Sequence, residues 1–462
     1  MFRKYIGTKA FYKRLLKLMV PILIQNGITN FVNMLDNIMI GSVGTAEMNG
    51  VAVMNQIIMV FTLCIFGAVS GAGIFGAQYA GSGDDGGVRD TFRFKLMFCT
   101  VLTAAFITVF LVYGDNLVSL FLHEQNSGIS AADVMLHAKT YLRVMVYGFI
   151  PAAIIQCYAS TLRETGKTVL PMVAGLIAVG INLTLNYILI YGHFGAPALG
   201  VEGAAIATVI SRYAELAIIA AVTFIKRAEN RFIIGAFRNL RVPLPLVGGI
   251  FRRGLPLMFN ETMWSAGIAF INQSYSRRGL DVVAAVNIMQ TFSNVFSVAF
   301  LSVGAAIGIV LGQMLGAGKT AEARESAKKL IAFSLVISLS VAVIFSLCAP
   351  FIPLLYNTDE NVRSLATSLM IICALTMPLD SFANASYFTL RSGGQAFITI
   401  LFDSGFVWAI AVPLSYFLSK YTSLPILPLY AICQSANFLK DVLGYVFVRR
   451  GTWAKKLVHG GE

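Results

Sequence analysis

Charge is scarce in this sequence. Only 12% of its 462 residues are Asp, Glu, Lys or Arg, against about 25% in a soluble domain. A chain this long with so few charges cannot clothe itself for water, which excludes an ordinary soluble enzyme. Histidine is rarer still: His123, His137, His193 and His459 lie far apart and assemble neither a catalytic triad nor a zinc site. Cys64, Cys99, Cys157, Cys348, Cys373 and Cys433 all fall in apolar stretches at no metal-ligand spacing. They read as small buried hydrophobes. A nucleotide site is missing as well. GAGKT at 316–320 has the ending of a phosphate-binding loop, but Gln313 occupies the place of its first glycine. GAGIFG (71–76) and GSGDDG (81–86) satisfy G-x-G-x-x-G, yet neither follows a soluble strand in a βαβ unit.

What the sequence has in quantity is apolar length. Hydrophobic residues make up 57% of it, and its mean hydropathy is +0.75. Runs longer than about 18 residues are membrane-helix candidates. Twelve recur, near 15–40, 50–80, 93–113, 134–160, 168–191, 201–225, 250–275, 282–313, 328–349, 362–390, 396–418 and 425–447. The fold class is therefore all-α, a polytopic membrane protein of twelve transmembrane helices. The first run is too long for a cleavable leader and carries Gln25, Asn26 and Asn30, so it reads as the first span.

The net charge of +13 does not point to nucleic acid, because of where it sits. With the N-terminus inside, external loops hold only Lys139, Arg277, Arg278, Arg363 and Lys420, and the spans Arg143, Arg212 and Lys440. The rest of the 35 Lys and Arg fall on the cytoplasmic side. That asymmetry predicts both termini in the cytoplasm of a multi-pass cell-membrane protein, with the basic surface against anionic lipid headgroups.

The chain is duplicated. QYAGSGDDGGVRD at 78–90 and QMLGAGKTAEARE at 313–325 share Gln78/Gln313, Gly81/Gly316, Gly83/Gly318, Arg89/Arg324 and Asp90/Glu325 at one offset. That offset runs back through Gly73/Gly308, Val51/Val286 and Gly44/Gly279 to Pro21/Pro256. LRETGKT at 162–168 likewise echoes LRSGGQA at 390–396. The expected organisation is two six-helix bundles related by a pseudo-twofold axis along the membrane normal, a parallel repeat. They divide as an N-terminal lobe 1–225, a basic linker 226–248 and a C-terminal lobe 249–462. GAGKT then becomes the turn after the second helix of the second half.

An ionised side chain at mid-bilayer costs about 2.5–3.5 kcal/mol on insertion scales, so each one needs a reason. Helix 1 carries Asn26, Thr29, Asn30, Asn33, Asp36 and Asn37 at spacings of three and four, one polar stripe on an apolar helix. Helix 5 offers Asn182 and Asn186 one turn apart, and helix 6 offers Thr208. With Asp36 these supply oxygen ligands alone, which suits a hard cation or a shared proton. In the second half Glu261 follows Pro256 on helix 7, and Asp380 shares a stripe with Thr376, Asn384 and Tyr387 on helix 10. Asp403 lies nearer the end of helix 11. Arg212 and Glu215 are spaced to pair along helix 6, and Lys440, beside Asp441, is placed to snorkel. A carboxylate-rich interior favours cation exchange and cationic or amphipathic cargo, with Met-rich walls that adapt to it.

This duplicated pattern resembles the MATE family of multidrug and toxic compound extrusion transporters. The resemblance rests on Pro21 and Asp36 in helix 1, the Q-x-x-G-x-G turns, INLTLNYILIYG (181–192), GVEGAAIAT (200–208) and MPLDSFANASYFTLRSGG (377–394). It implies a cation-coupled exporter driven by H⁺ or Na⁺, working without a cofactor as a monomer. It also implies an N-lobe cation site at Asp36, Asn182, Asn186 and Thr208, with Asp36, Asn182 and Asn186 as ligands of a sodium ion. Asp380, with Glu261, would serve cargo or a second cation in the C-lobe. Two other readings remain: a lipid-linked oligosaccharide flippase, for which intramembrane arginines are few, and an intramembrane enzyme, for which no histidine lies well inside a span.

Overall fold

The structure, a computed structural model, describes residues 5–119, 131–356 and 358–458, without the side chains at 33, 34, 37, 38, 45 and 131. His123, His459 and the side chains of Asn33 and Asn37 thus lie outside the described residues. In hydrocarbon no water is available to satisfy backbone groups, so a spanning segment closes its hydrogen bonds internally as a helix. Helices α1 (Lys9–Gly41), α2 (Thr45–Ser82), α3 (Asp85–Ser119), α4 (Ala131–Glu164), α5 (Val169–Tyr191) and α6 (Gly200–Ile225) make the first half. The second begins with α7 (Leu244–Ser276), α8 (Leu280–Gly316), α9 (Thr320–Cys348) and α10 (Glu360–Ser392). No strand occurs among the described residues.

The last two spans are not the plain helices that their hydropathy predicts. The eleventh is assembled from α11 (Ala396–Ile400), two π-helical stretches at Leu401–Gly405 and Val407–Ala411, and α12 (Val412–Tyr421). Both stretches bond to side chains and carbonyls of α7. The Ser404 amide donates to Asn260 Oδ1 at 3.2 Å, and Trp408 Nε1 donates to the Met263 carbonyl at 2.9 Å. The twelfth span breaks at Ala436 into α13 (Ile426–Ser435) and α14 (Asn437–Arg450). Ten of the described helices are long and apolar enough to cross a membrane. The twelve-helix fold is completed by α7, which carries Arg252, Arg253 and Glu261, and by the α13–α14 pair.

By its contacts the chain divides into two compact units. One comprises residues 24–76 and 85–251, the other residues 1–23, 77–84 and 252–462. In the first, α6 packs on α4 and α5, and α3 on α4. Phe61, Phe106, Phe110 and Phe149 form a chain of ring contacts through its interior. In the second, α10 packs on α8, α9, α13 and α14. Its core joins Leu15, Leu18 and Met19 to Val303, Ile307, Leu311, Leu330, Leu390 and Trp453.

The repeat is visible in the two Q-x-x-G-x-G turns. Gly83 and Gly318 take φ of 79° and 77°, a left-handed backbone that residues with a Cβ avoid. Ala317, Gly318 and Lys319 of GAGKT therefore form the bend between α8 and α9. The preceding glycines do something else. A Cβ on Gly81 would collide with the Gln313 carbonyl, and one on Gly316 with the Gln78 carbonyl. Repeat mates thus touch repeat mates where the ends of α2 and α8 cross. Overpacking a filled site costs about 1–3 kcal/mol, so Gly316→Ala is expected to lower the thermal unfolding midpoint in detergent. Gly248→Ala, where an added Cβ meets nothing within 4 Å, is the control expected to leave it unchanged or raise it.

Candidate functional site

The first cluster is built by α1, α5 and α6. Asn182 and Asn186 lie one turn apart on α5, both buried, at 5% and 1% exposure. Asn186 Nδ2 donates to Asp36 Oδ1 at 2.7 Å and to Asn182 Oδ1 at 3.2 Å, while Asn182 Nδ2 donates to Thr208 Oγ1 at 3.3 Å. All four residues singled out in the first half are thus joined by hydrogen bonds. Asn186 Oδ1 is buried and has no hydrogen-bond partner among the described residues. A buried acceptor left open demands a ligand or a water, and it stands beside a carboxylate. That donor set fits a proton or a small hard cation, with Asp36, Asn182, Asn186 and Thr208 supplying the oxygens. Among the described residues no three His, Cys, Asp or Glu side chains gather as a metal cluster, so any such ion would rest on one carboxylate and neutral oxygens.

Arg212 pairs with Glu215 at 3.0 Å, as their spacing predicts. Its charge also acts on Asp36, which the spacing did not reveal. Buried Tyr141 of α4 is likewise within electrostatic reach of Asp36.

The second cluster joins α7, α10, the π-helical stretch at 401–405 and α14. Tyr387 Oη donates to Glu261 Oε1 at 2.7 Å, and the charge of Arg391 acts on Glu261. Asp380 accepts a hydrogen bond from Asn437 Nδ2 at 3.2 Å, so Asp380 and Glu261 keep separate partners. Asp403 has partners of its own. It accepts from Asn260 Nδ2 at 2.9 Å and pairs with Lys440 Nζ at 2.6 Å. The sequence placed Lys440 as a snorkelling residue. It turns inward instead, because a carboxylate inside the bundle is a better partner for a largely desolvated ammonium than the distant headgroups. Asp403 and Lys440, peripheral in the sequence reading, therefore form an ion pair within the bundle, with Asn260 of α7 as a further partner of Asp403.

A third group escaped the sequence altogether. Lys95 on α3, 0% exposed, pairs with Glu164 on α4 at 2.6 Å and donates to Ser160 and Thr161 at 3.1 and 3.2 Å. Ser160 also donates to Glu164. Gly73 and Gly76 of α2 make room for the carboxylate, since a Cβ on either would press on it. The available signal was the repeat itself: its offset sets Lys95 opposite Leu330, and the LRETGKT echo sets Glu164 opposite Ser392. A matched pair of opposite charges stands in one half alone.

Two helical repeats, each holding hydrogen-bonded carboxylates among its spans, place the molecule in the class of repeat-built membrane transporters. The MatE family model matches residues 21–188 and again 256–417, and the chain belongs to that family, the MATE transporters. Its second match starts at Pro256, the repeat mate of Pro21. The chain is 24% identical over 451 residues to a probable multidrug resistance protein NorM of Thermotoga maritima, covering 96% of this chain and 94% of that one. It shares its fold with a multidrug resistance MATE transporter of the MOP superfamily solved in an outward-facing conformation. The TM-score is 0.87, the identity 20%, and 98% of each chain is covered. A MOP superfamily transporter from Pyrococcus furiosus, described as having a binding pocket of reverse polarity, matches with a TM-score of 0.86 at 21% identity, over 98% of each chain.

Proposed function

We propose that the protein is a cation-coupled antiporter that exports cationic or amphipathic organic compounds across the cell membrane by alternating access. The observation that carries this reading is the Asp36–Asn186–Asn182–Thr208 chain of hydrogen bonds with its open Asn186 oxygen. Asp36 is the coupling carboxylate, exchanging H⁺ or Na⁺. Asp380, supported by Glu261, recognises cargo, because a buried carboxylate attracts an organic cation strongly where the dielectric is low. The lobes 1–225 and 249–462, joined by the linker 226–248, are the two rocking bodies. Both termini face the cytoplasm, the orientation that the Lys and Arg asymmetry supports. The name of the Thermotoga relative agrees with drug-like cargo. A flippase for pyrophosphate-linked lipids is less well supported, since Arg212 is already engaged by Glu215.

The test uses proteoliposomes with separately imposed pH and Na⁺ gradients. Inward flow of one of the two cations is expected to drive ethidium out against its gradient, and transport indifferent to both would overturn the reading. For the second half, Asp380→Asn is expected to raise the Kd of ethidium while sparing uncharged ligands. Equal weakening of cationic and neutral ligands would instead make Asp380 a second coupling site.

A further inference from the structure

We propose that residues 455–458, anchored by Trp453, form a latch that fastens Gln78 of the first lobe to the second lobe and has to open and reclose in every transport cycle. The inference rests on the alternating-access reading, in which lobes 1–225 and 249–462 move against each other.

The latch is built from buried groups. After α14 the chain turns at Gly451 and folds back onto the bundle. Trp453, 1% exposed, joins the core of the second unit and donates Nε1 to the Val448 carbonyl at 3.1 Å. Gly393, in the turn between α10 and α11, has no room for a Cβ because the Trp453 carbonyl lies against it. Val458 is buried as well, whereas Lys455 and Lys456 between them are exposed.

This segment is received by Gln78, near the end of α2 and 0% exposed. Its Nε2 donates to the carbonyls of Ser392 and Lys455 at 3.1 and 3.2 Å, and its Oε1 accepts the Leu457 amide at 2.7 Å. Both amide hydrogens and the oxygen of the side chain are thus in use. A buried amide cannot give up such partners one at a time without orphaning a polar group, so the latch is either closed or open.

Sequence position gives the contact its meaning. Gln78 belongs to the first half of the chain, and Ser392, Lys455 and Leu457 belong to the second. Residues 77–84 count with the second compact unit, while α2 from Thr45 to Gly76 counts with the first. The segment after α6 also folds back, burying Phe232 and Ile233. There the holders are Arg93, which donates to the Gly235 and Ala236 carbonyls at 2.8 Å, and Lys167, which donates to Asn230 Oδ1 at 2.8 Å. Both lie in the same half as the segment they hold, so movement of the lobes does not strain them. Gln313, the repeat mate of Gln78, meets Arg14 of α1 in an exposed bond of 2.9 Å, where water is a ready substitute. The contacts of Gln78 join the halves and are buried, and rocking the lobes has to break them.

The test uses full-length Gln78→Cys/Leu457→Cys in liposomes, bridged by a short bifunctional methanethiosulfonate and reopened with dithiothreitol. Under an imposed pH or Na⁺ gradient the reduced protein is expected to export ethidium. The bridged protein should fall to the level of protein-free liposomes, and dithiothreitol should restore it. Wild type treated with the same reagent is the control, its six cysteines being buried or half-buried. The bridged protein should still bind ethidium, so that arrest reflects blocked movement and not a lost fold. Undiminished export with the bridge in place overturns the proposal. Because Gln78 is buried, a second test leaves it untouched: amide hydrogen exchange at Leu457 of wild type, which reports local opening. Exchange is expected to be faster during gradient-driven export than at rest, and equal exchange overturns the proposal as well. Failure of the underlying reading looks different: neither gradient would then drive ethidium export by wild type or by the reduced variant.

Discussion

Asp36→Asn is expected to reduce gradient-driven export to the level of protein-free liposomes while the protein still folds and inserts. The substitution conserves shape, and the retained Oδ1 still accepts the Asn186 amide that now donates at 2.7 Å. The chain of hydrogen bonds through Asn182 to Thr208 therefore survives, and the thermal midpoint should stay near that of wild type. What is lost is the one carboxylate of the cluster. A neutral amide can neither take up a proton nor balance a sodium ion, so the neutral oxygens around it have no charge to exchange. Arg212 stays compensated by Glu215, which keeps the defect local. Thr208→Ala should be milder, because it removes only neutral hydrogen bonds, the one from Asn182 at 3.3 Å and the one to the Ala204 carbonyl at 3.0 Å, each worth about 0.5–1.5 kcal/mol. The check is transport under an imposed pH or Na⁺ gradient beside ethidium binding at equilibrium. Wild-type export by Asp36→Asn would remove Asp36 from the mechanism.

Much of the site was legible because intramembrane polarity is expensive. Asp36, Asn182, Asn186 and Thr208 stood out one by one as polar residues in apolar runs, and helical spacing put the two asparagines on one face. Glu261 and Asp380 stood out in the same way. Their separation into different hydrogen-bonded groups did not, because it depends on Tyr387 and Asn437 reaching across from other helices. The partnership of Asp403 and Lys440 was hidden by the same kind of non-local geometry. It is set by a π-helical stretch and a helix break that hydropathy averages away. The glycine turns were the clearest signal, since Gly83 and Gly318 answer to a backbone requirement local to the motif. The crossing of Gly81 and Gly316 with the partner turns required the fold.

The halves agree in their glycine turns and disagree in charge. The repeat sets Ile271 opposite Asp36 and Asn26 opposite Glu261, so neither Asp36 nor Glu261 has a carboxylate as its repeat mate. Helix turns and crossings are constraints on packing, and both halves must meet them. Buried charges carry no such constraint, and each half is free to hold its own set.

Lys95 and Glu164 provide the second large effect. Removing one member of a buried ion pair leaves the other uncompensated and costs about 3–5 kcal/mol. Lys95 is fully buried, and Glu164 sits against Gly73 and Gly76 with no room for a hydrated shell. Either Lys95→Leu or Glu164→Ser alone should therefore lower the thermal midpoint in detergent sharply and reduce the yield of membrane-inserted protein. Combining the two installs the residues that the second half carries at these positions, Leu330 and Ser392. With both charges gone, nothing buried is left unpaired, and replacing an intact pair by neutral side chains is often neutral or better. The double variant is expected to recover most of the stability lost by either single one, since replacing a buried pair outright is often neutral or stabilising by about 1–4 kcal/mol. A double variant as unstable as the worse single one would mean that side-chain shape, not charge, holds α3 to α4. Should the double variant recover its stability yet fail to export ethidium, the pair would belong to the transport cycle, as intramembrane ionisable groups commonly do.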